Sequence, residues 1–224
     1  MWGSLVAIAA IGCNPLNLAG FLLARPEKQP AAHPLTFAKD GPKKDKEEVV
    51  VVLLPQVAAG SRDPQFATAA NDLADKMART LPELAKENKD KRKIKVVSQT
   101  EVDKFKMKHP NWKHMGAGEI GQKLGADFVL EIYLDKMSLY QPGSLKSIYE
   151  GRAEVFVGVY EIGATGGELK DKYTHSFAYP KTGVRSADAI AESTFKVQFM
   201  ENLAAELARQ HVDHTPSDNI ADGR

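Results

Sequence analysis

An α/β fold is predicted: a single layered domain with a mixed sheet of about five strands, parallel in its first half and an antiparallel meander in its second, packed by helices. Three observations predict it. The run VVVVLLP from Val49 is a continuous β-branched and leucine stretch, the pattern of a strand buried on both faces. A helical apolar period follows it and leads into a second short apolar run. A right-handed crossover between two such strands makes them parallel. From Phe128 to Pro180 the apolar residues instead alternate with polar ones between short turns, which reads as adjacent strands paired antiparallel.

The first strand begins at Val49, and Pro55 is expected to end it, because proline brings no amide hydrogen to a ladder. Asp63 and Pro64 read as an N-cap and a first helical residue. Phe66, Ala70, Leu73, Met77, Leu81 and Leu84 then recur at three- and four-residue spacing, giving one apolar helix face, with Pro82 near its end. IKVVS (94–98) is the second strand. Thr100 and Asp103 resemble a capping box opening a short helix that carries Val102 and Phe105 and finishes near His109-Pro110.

EIGQKLGAD (119–127) gives another short helix, stopped at Gly125, whose freedom to adopt a left-handed backbone suits a C-terminal cap. The third strand runs from Phe128 to Tyr140, with Phe128, Leu130, Ile132 and Leu134 on one face and Glu131, Tyr133 and Asp135 on a wetter one. QPGS (141–144) is a turn. A strand follows over 148–162, in which Ala153, Val155, Val157 and Val159 alternate with Arg152, Glu154, Phe156, Gly158 and Tyr160. GATGGE (163–168) turns into DKYTHSFAYP (171–180). A last helix over about 188–210 carries Ile190, Val197, Met200, Leu203 and Leu207 as a stripe, with Phe195 and Phe199 beside it.

At 224 residues one core is the expectation. The divisions are an apolar leader (1–24), a tether rich in proline and charge (25–48), the α/β domain (49–211) and a flexible tail (212–224). Hydrophobic residues are 43% and charged residues 26% of the chain, and the formal net charge of +1 gives no reason for a nucleic-acid partner. The charge is uneven: from Glu83 to His114 ten Lys/Arg face five Asp/Glu. The basic region Lys86–Lys113 therefore reads as a solvated face around two helix ends, or as a patch for phosphate or acidic lipid.

The one cysteine, Cys13, excludes an internal disulfide or a four-cysteine zinc site. It follows LVAIAAIG (5–12), a run too short to span a bilayer but of the length of a signal-peptide core. AIGC (10–13) resembles a bacterial lipobox, in which the cysteine is acylated. An export signal without lipid and a cytoplasmic chain with an apolar tail are the other readings.

No catalytic, cofactor or metal residues are assigned. GAGEIG (116–121) has the GxGxxG spacing, but WKHM before it is no strand, so glycines at a loop-to-helix join are the expectation. His109 with His114, and His211 with His214, read as solvated histidines rather than as zinc ligands. Ser98 with His175 and Glu131 with Glu154 are weak pairs, for nucleophilic and acid–base chemistry respectively, and charge complementation explains the two carboxylates more simply. The aromatics Tyr133, Tyr140, Tyr149, Phe156 and Tyr160 gather in the antiparallel region. They read as cross-strand packing, with an exposed subset as a protein-contact surface; the sheet edge is the other candidate.

VVVVLLP, IKVVSQTEVDKF and EIGQKLGADFVLEIYL together resemble the periplasmic α/β domain of bacterial envelope lipoproteins. Related forms are the curli-secretion lipoproteins, the lipoprotein activators of penicillin-binding proteins and the N-terminal domain of the Tol translocation protein. Lys123, Leu124, Gly125, Ala126 and Asp127 match the helix end leading into a central strand, and Ser98–Val102 the segment after the second strand. The resemblance covers Val49 to Gly167. It implies a periplasmic or outer-membrane location with a lipid anchor at Cys13, and a non-enzymatic accessory role toward an envelope protein partner, with homo-oligomers as a further option. A component of a secretion assembly, a small-molecule or phosphate binder and a hydrolase are the alternatives.

Overall fold

A computed structural model of the chain describes residues 28–37, 43, 46–57, 64–87 and 93–215. The leader with Cys13, the expected cap Asp63 and the side chain of Phe66 lie outside the described residues. The elements run β1 (Glu48–Val57), α1 (Pro64–Lys86), β2 (Lys93–Val96), α2 (Gln99–Lys108), a 3-10 turn (Trp112–His114), α3 (Ala117–Lys123), β3 (Phe128–Tyr140), β4 (Ile148–Gly163), β5 (Gly166–Tyr179), β6 (Arg185–Ser186) and α4 (Glu192–Arg209). The sheet order is β2-β1-β3-β4-β5, with β6 pairing the start of β4. β1 is parallel to β2 and β3, and β3, β4 and β5 are antiparallel neighbours. This is the α/β class, with parallel and meander halves, that the sequence predicts.

The two sheet faces are covered unequally. Val51, Leu53, Leu130, Ile132, Leu134, Val155 and Val157 face α1 and α4 in the larger core, which also takes Leu73, Met77, Leu81, Phe195, Phe199, Leu203 and Leu207. On the opposite face Val52, Leu54, Val129 and Ile162 meet Val102, Phe105, Ala117 and Ile120 from α2 and α3. α2 lies over β1, and α3 lies over the end of the sheet where β3 begins and β4 turns into β5, so among the described residues no helix covers the rest of that face of β3, β4 and β5.

Five expectations are corrected. β1 continues through Pro55, which is buried and opposite Ile132. Its odd residues turn their backbone polar groups toward β2, as Val51 does in accepting from the Val97 amide. β2 stops at Val96, so the donor that Pro55 lacks would have met no strand. Val197 is exposed, because the α4 stripe runs through Phe195, Phe199, Met200, Leu203 and Leu207.

The segment expected to be a tether contributes Leu35 and Phe37 to the core. Gln29 bridges His214, and the Ala31 and His33 amides bond the Asp213 side chain and the Gln210 carbonyl. The start of the expected tail, 212–215, is thereby docked. His211, read as solvated, is buried. Two isolated apolar residues between prolines carry no periodicity, so nothing local announces that this segment lies down.

Candidate functional site

The LGAD junction builds the centre of the sheet. Gly125 has φ +66, and the Gly125 and Ala126 amides bond the Gln122 and Gly121 carbonyls, the pair of bonds that closes a Schellman cap. The chain then passes directly into β3, with the Asp127 amide on the Val50 carbonyl and the Asp127 carbonyl accepting from Ile162. The Asp127 side chain is 2% exposed and accepts from the Val50 amide at 2.8 Å, Lys43 Nζ at 2.8 Å and Lys46 Nζ. Burial alone would raise its carboxyl; the two ammonium groups and the amide outweigh that and hold it below the usual carboxylate range. Asp127 is therefore a structural knot joining β1, β3, β4 and the segment before β1. The sequence signal for it was an acid placed at the threshold of an apolar strand.

On the uncovered half-face, Tyr133, Phe156 and Tyr160 come together on β3 and β4, with Leu169 and Thr174 of β5 beside them, around a depression of about 510 Å³. Phe156 is 40% and Leu169 45% exposed, and both lie in this one depression. At its floor Glu131 accepts from the Tyr160 hydroxyl at 3.3 Å. Burial, then the Glu131 charge, pushes the Tyr133 phenol up to about 12, and the same causes raise Tyr160. Both phenols thus stay protonated near neutrality and act as hydrogen-bond donors. A second open depression of about 570 Å³ continues along the same hairpins past Lys136, Arg152 and Glu154.

The other two aromatics of the expected contact group sit elsewhere. Tyr149 is buried, its ring 4.5 Å from that of Phe195 and stacked on it, so it offers no surface. Tyr140 packs on Tyr149 and donates to Glu192 Oε2 at 2.5 Å, which pins the start of α4. Alternation decides this: Phe156 and Tyr160 share a face of β4 that Tyr149 does not, and the β-bulge between Ser138 and Tyr140 changes the phase near the tip.

The weak pairs do not assemble. The capping box of α2 is Ser98 with Glu101 and not the expected Thr100 with Asp103, and His175 is four strand spacings away from Ser98 across the sheet, about 19 Å. Glu131 lies opposite Gly158 whereas Glu154 bonds Lys136 at 2.7 Å, so the carboxylates are separated by about 13 Å of strand. His109 stacks on Phe105 and His114 sits in the exposed 3-10 turn. Among the described residues no three His, Cys, Asp or Glu side chains are grouped to hold a metal, and no helix is long and apolar enough to cross a membrane.

A buried cluster ties the two ends of the described chain. His211 Nδ1 lies 2.8 Å from the His33 carbonyl, which only accepts, so Nδ1 carries the hydrogen and Nε2 accepts from the Tyr173 hydroxyl at 2.9 Å. The His33 ring stacks on Tyr173 at 3.8 Å, and its Nδ1 meets Asp171 at 2.6 Å. Burial pushes His211 from 6.5 down to about 4. The unfolded chain therefore takes up this proton first, so the stability is intact above about 6.5 and drains as pH falls toward 4. About 2 kcal/mol is lost between pH 7 and pH 5. Urea titrations at the two pH values will show this loss in the wild type and a smaller one in His211→Gln. Equal losses would show that His211 does not titrate as described. His175, also lowered by burial, adds the same sign in both proteins.

Solved structures similar to this chain include the PelC dodecamer from Paraburkholderia phytofirmans, at 10% identity over 83% of this chain and 98% of that one, with a TM-score of 0.43. Others are lipoprotein GNA1162 from Neisseria meningitidis (13%, 71% and 98%, TM-score 0.39) and a minor lipoprotein from Acinetobacter baumannii (14%, 72% and 90%, TM-score 0.32). The last two are bacterial lipoproteins. Likeness at this level is silent on chemistry. No family model and no curated protein matches the chain.

Proposed function

We propose that the chain is a non-enzymatic envelope module, anchored in the membrane through acylated Cys13, that binds another protein through the open half-face of β3, β4 and β5. The single observation that carries the binding role is the gathering of Tyr133, Phe156, Tyr160 and Leu169 around one depression on a part of the sheet that no helix among the described residues covers. Aromatic rings on strands offer rigid contact area at small entropic cost, and the phenol oxygens of Tyr133 and Tyr160 keep lone pairs that accept from a partner's donors.

A photo-crosslinking residue at Phe156, in the native envelope, tests the role. It should give a discrete adduct that Tyr133→Ala weakens by at least about tenfold, the scale of one interface anchor. The same residue at Val197, exposed on α4, should give none. Adducts of equal yield at both positions, or none at 156, would remove this face from the function. Intact-mass analysis of the native N-terminus tests the anchor separately, and an unmodified Met1 would remove it.

A second reading, self-association, is favoured by the outer edge of β5, a strand of 14 residues paired only with β4 among the described residues. An antiparallel copy centred on Lys170 sets Glu168 opposite Lys172 of that copy, while Lys170, which meets its own counterpart there, is neutralised by Glu161 at 2.8 Å. Sedimentation velocity showing a monomer at high concentration would exclude it.

A further inference from the structure

The function proposed above leaves unused the basic corner made by β2, α2 and the 3-10 turn. The edge strand β2 turns Ile94 and Val96 toward the larger core, so Lys93 and Lys95 project from the face on which α2 packs. In α2, Val102 and Phe105 point inward. At 100° per residue Met107 then lies on the opposite side of the helix, with Lys104 and Lys108 on one flank and Lys106 on the other. Met107 is 81% exposed. Lys106 Nζ stands 4.7 Å over the Trp112 ring, and Lys113 lies 6.0 Å from the same ring. The nearby acids are matched locally: Glu101 closes the capping box with Ser98, Asp103 lies 3.9 Å from Lys106, and Glu48 stands opposite Lys93 on β1, which leaves Lys95, Lys104, Lys108 and Lys113 as the excess.

We infer that this corner docks on a bilayer surface bearing anionic phospholipid headgroups. Whole-chain net charge is only +1, so the lysines here form a local patch rather than part of a general basicity. An exposed methionine at the apex of a lysine-flanked helix end forgoes the free energy of burial in water and regains it in the acyl boundary, while the lysine stems reach outward to phosphate. Nucleic acid fits less well. It offers phosphates to the lysines and nothing apolar to Met107, and the Trp112 face that would stack on a base is occupied by Lys106.

The test uses the full chain carrying Cys13→Ser, sedimented with vesicles of phosphatidylcholine alone or with 30% phosphatidylglycerol. Partition onto the anionic vesicles should exceed that onto neutral ones by at least tenfold at low salt and collapse at high salt. Each lysine at such a surface is worth roughly fivefold. Lys104→Glu with Lys108→Glu, both exposed positions, should therefore remove about 25-fold or more of the preference while leaving the thermal midpoint unchanged. Met107→Ser should weaken binding to the anionic vesicles without altering its salt dependence. Equal partition onto both vesicles, the behaviour expected of the apolar leader acting alone, would overturn the inference. So would a preference that survives the double reversal, or full displacement of the protein by an equimolar single-stranded oligonucleotide.

Discussion

Replacing Asp127 by alanine will cost the folded chain about 3 kcal/mol, a large part of the stability of a domain this size. The carboxylate is almost wholly buried and takes three donors, so its loss strands the Val50 amide inside the sheet, at about 1–3 kcal/mol. Lys43 and Lys46 are each more than a third exposed and rehydrate when released, so their share is about 1 kcal/mol. Lys43 also gives up its anchor beside the Ile162 carbonyl, which loosens the segment preceding β1. Asp127→Asn keeps an acceptor for Val50 and should lose only about half as much.

Urea midpoints read both variants, and an Asp127→Ala protein as stable as wild type would show that the knot holds nothing. The acid behaviour adds a check. The folded carboxyl is held below its unfolded value near 3.9, so its stabilisation is present above that pH and disappears as pH falls through the lower folded value. That window lies below the one in which His211 acts, so the two effects separate along the pH axis.

The two halves of the sheet were legible because strand type and the length of each connection, long and helical or short and turn-like, are local to the sequence. The continuous run at Val49 marked a central strand, and strict alternation in β3 and β4 told which residues face the helices, down to Leu130, Val155 and Val157. What alternation gives within one strand it does not give between strands. Tyr133, Phe156 and Tyr160 meet only because the register sets Tyr133 opposite Phe156, and Tyr149 leaves the group because it lies on the other face near the bulged tip. The same limit hid Asp127 and His211. Their partners, Lys43 and His33, come from a segment with no period of its own, 84 and 178 residues away. Lys104 to Lys108 were visible as charge, but only the inward turn of Phe105 shows that Met107 stands at the apex.

The GAGEIG stretch, with the spacing of a phosphate-binding loop, is explained by packing, and a glycine series will separate the two roles. A Cβ on Gly118 would lie 2.3 Å from the Gly167 nitrogen and 2.6 Å from its Cα, at the start of β5. Both obstacles are backbone and cannot rotate aside, so α3 must lift from the sheet. Helix propensity favours alanine over glycine by about 1 kcal/mol. A backbone collision at that distance costs more, and valine adds two further methyl groups, so Gly118→Val should lose at least about 3 kcal/mol.

Gly121 faces side chains, Val129 Cγ2 at 2.6 Å and Ile162 Cδ1 at 2.8 Å, which yield more easily, so Gly121→Ala should lose about 1–2 kcal/mol. Gly116, in the N-cap position, has nothing within 4 Å, and Gly116→Ser should be neutral or gain about 0.5 kcal/mol by supplying a capping oxygen. Thermal midpoints in the order Gly116→Ser, Gly121→Ala, Gly118→Val therefore follow from helix-to-sheet packing. A loop that cradles phosphate would instead show a wild-type midpoint that rises with added inorganic phosphate. A Gly118→Val protein that melts with the wild type would break the packing account at its tightest contact.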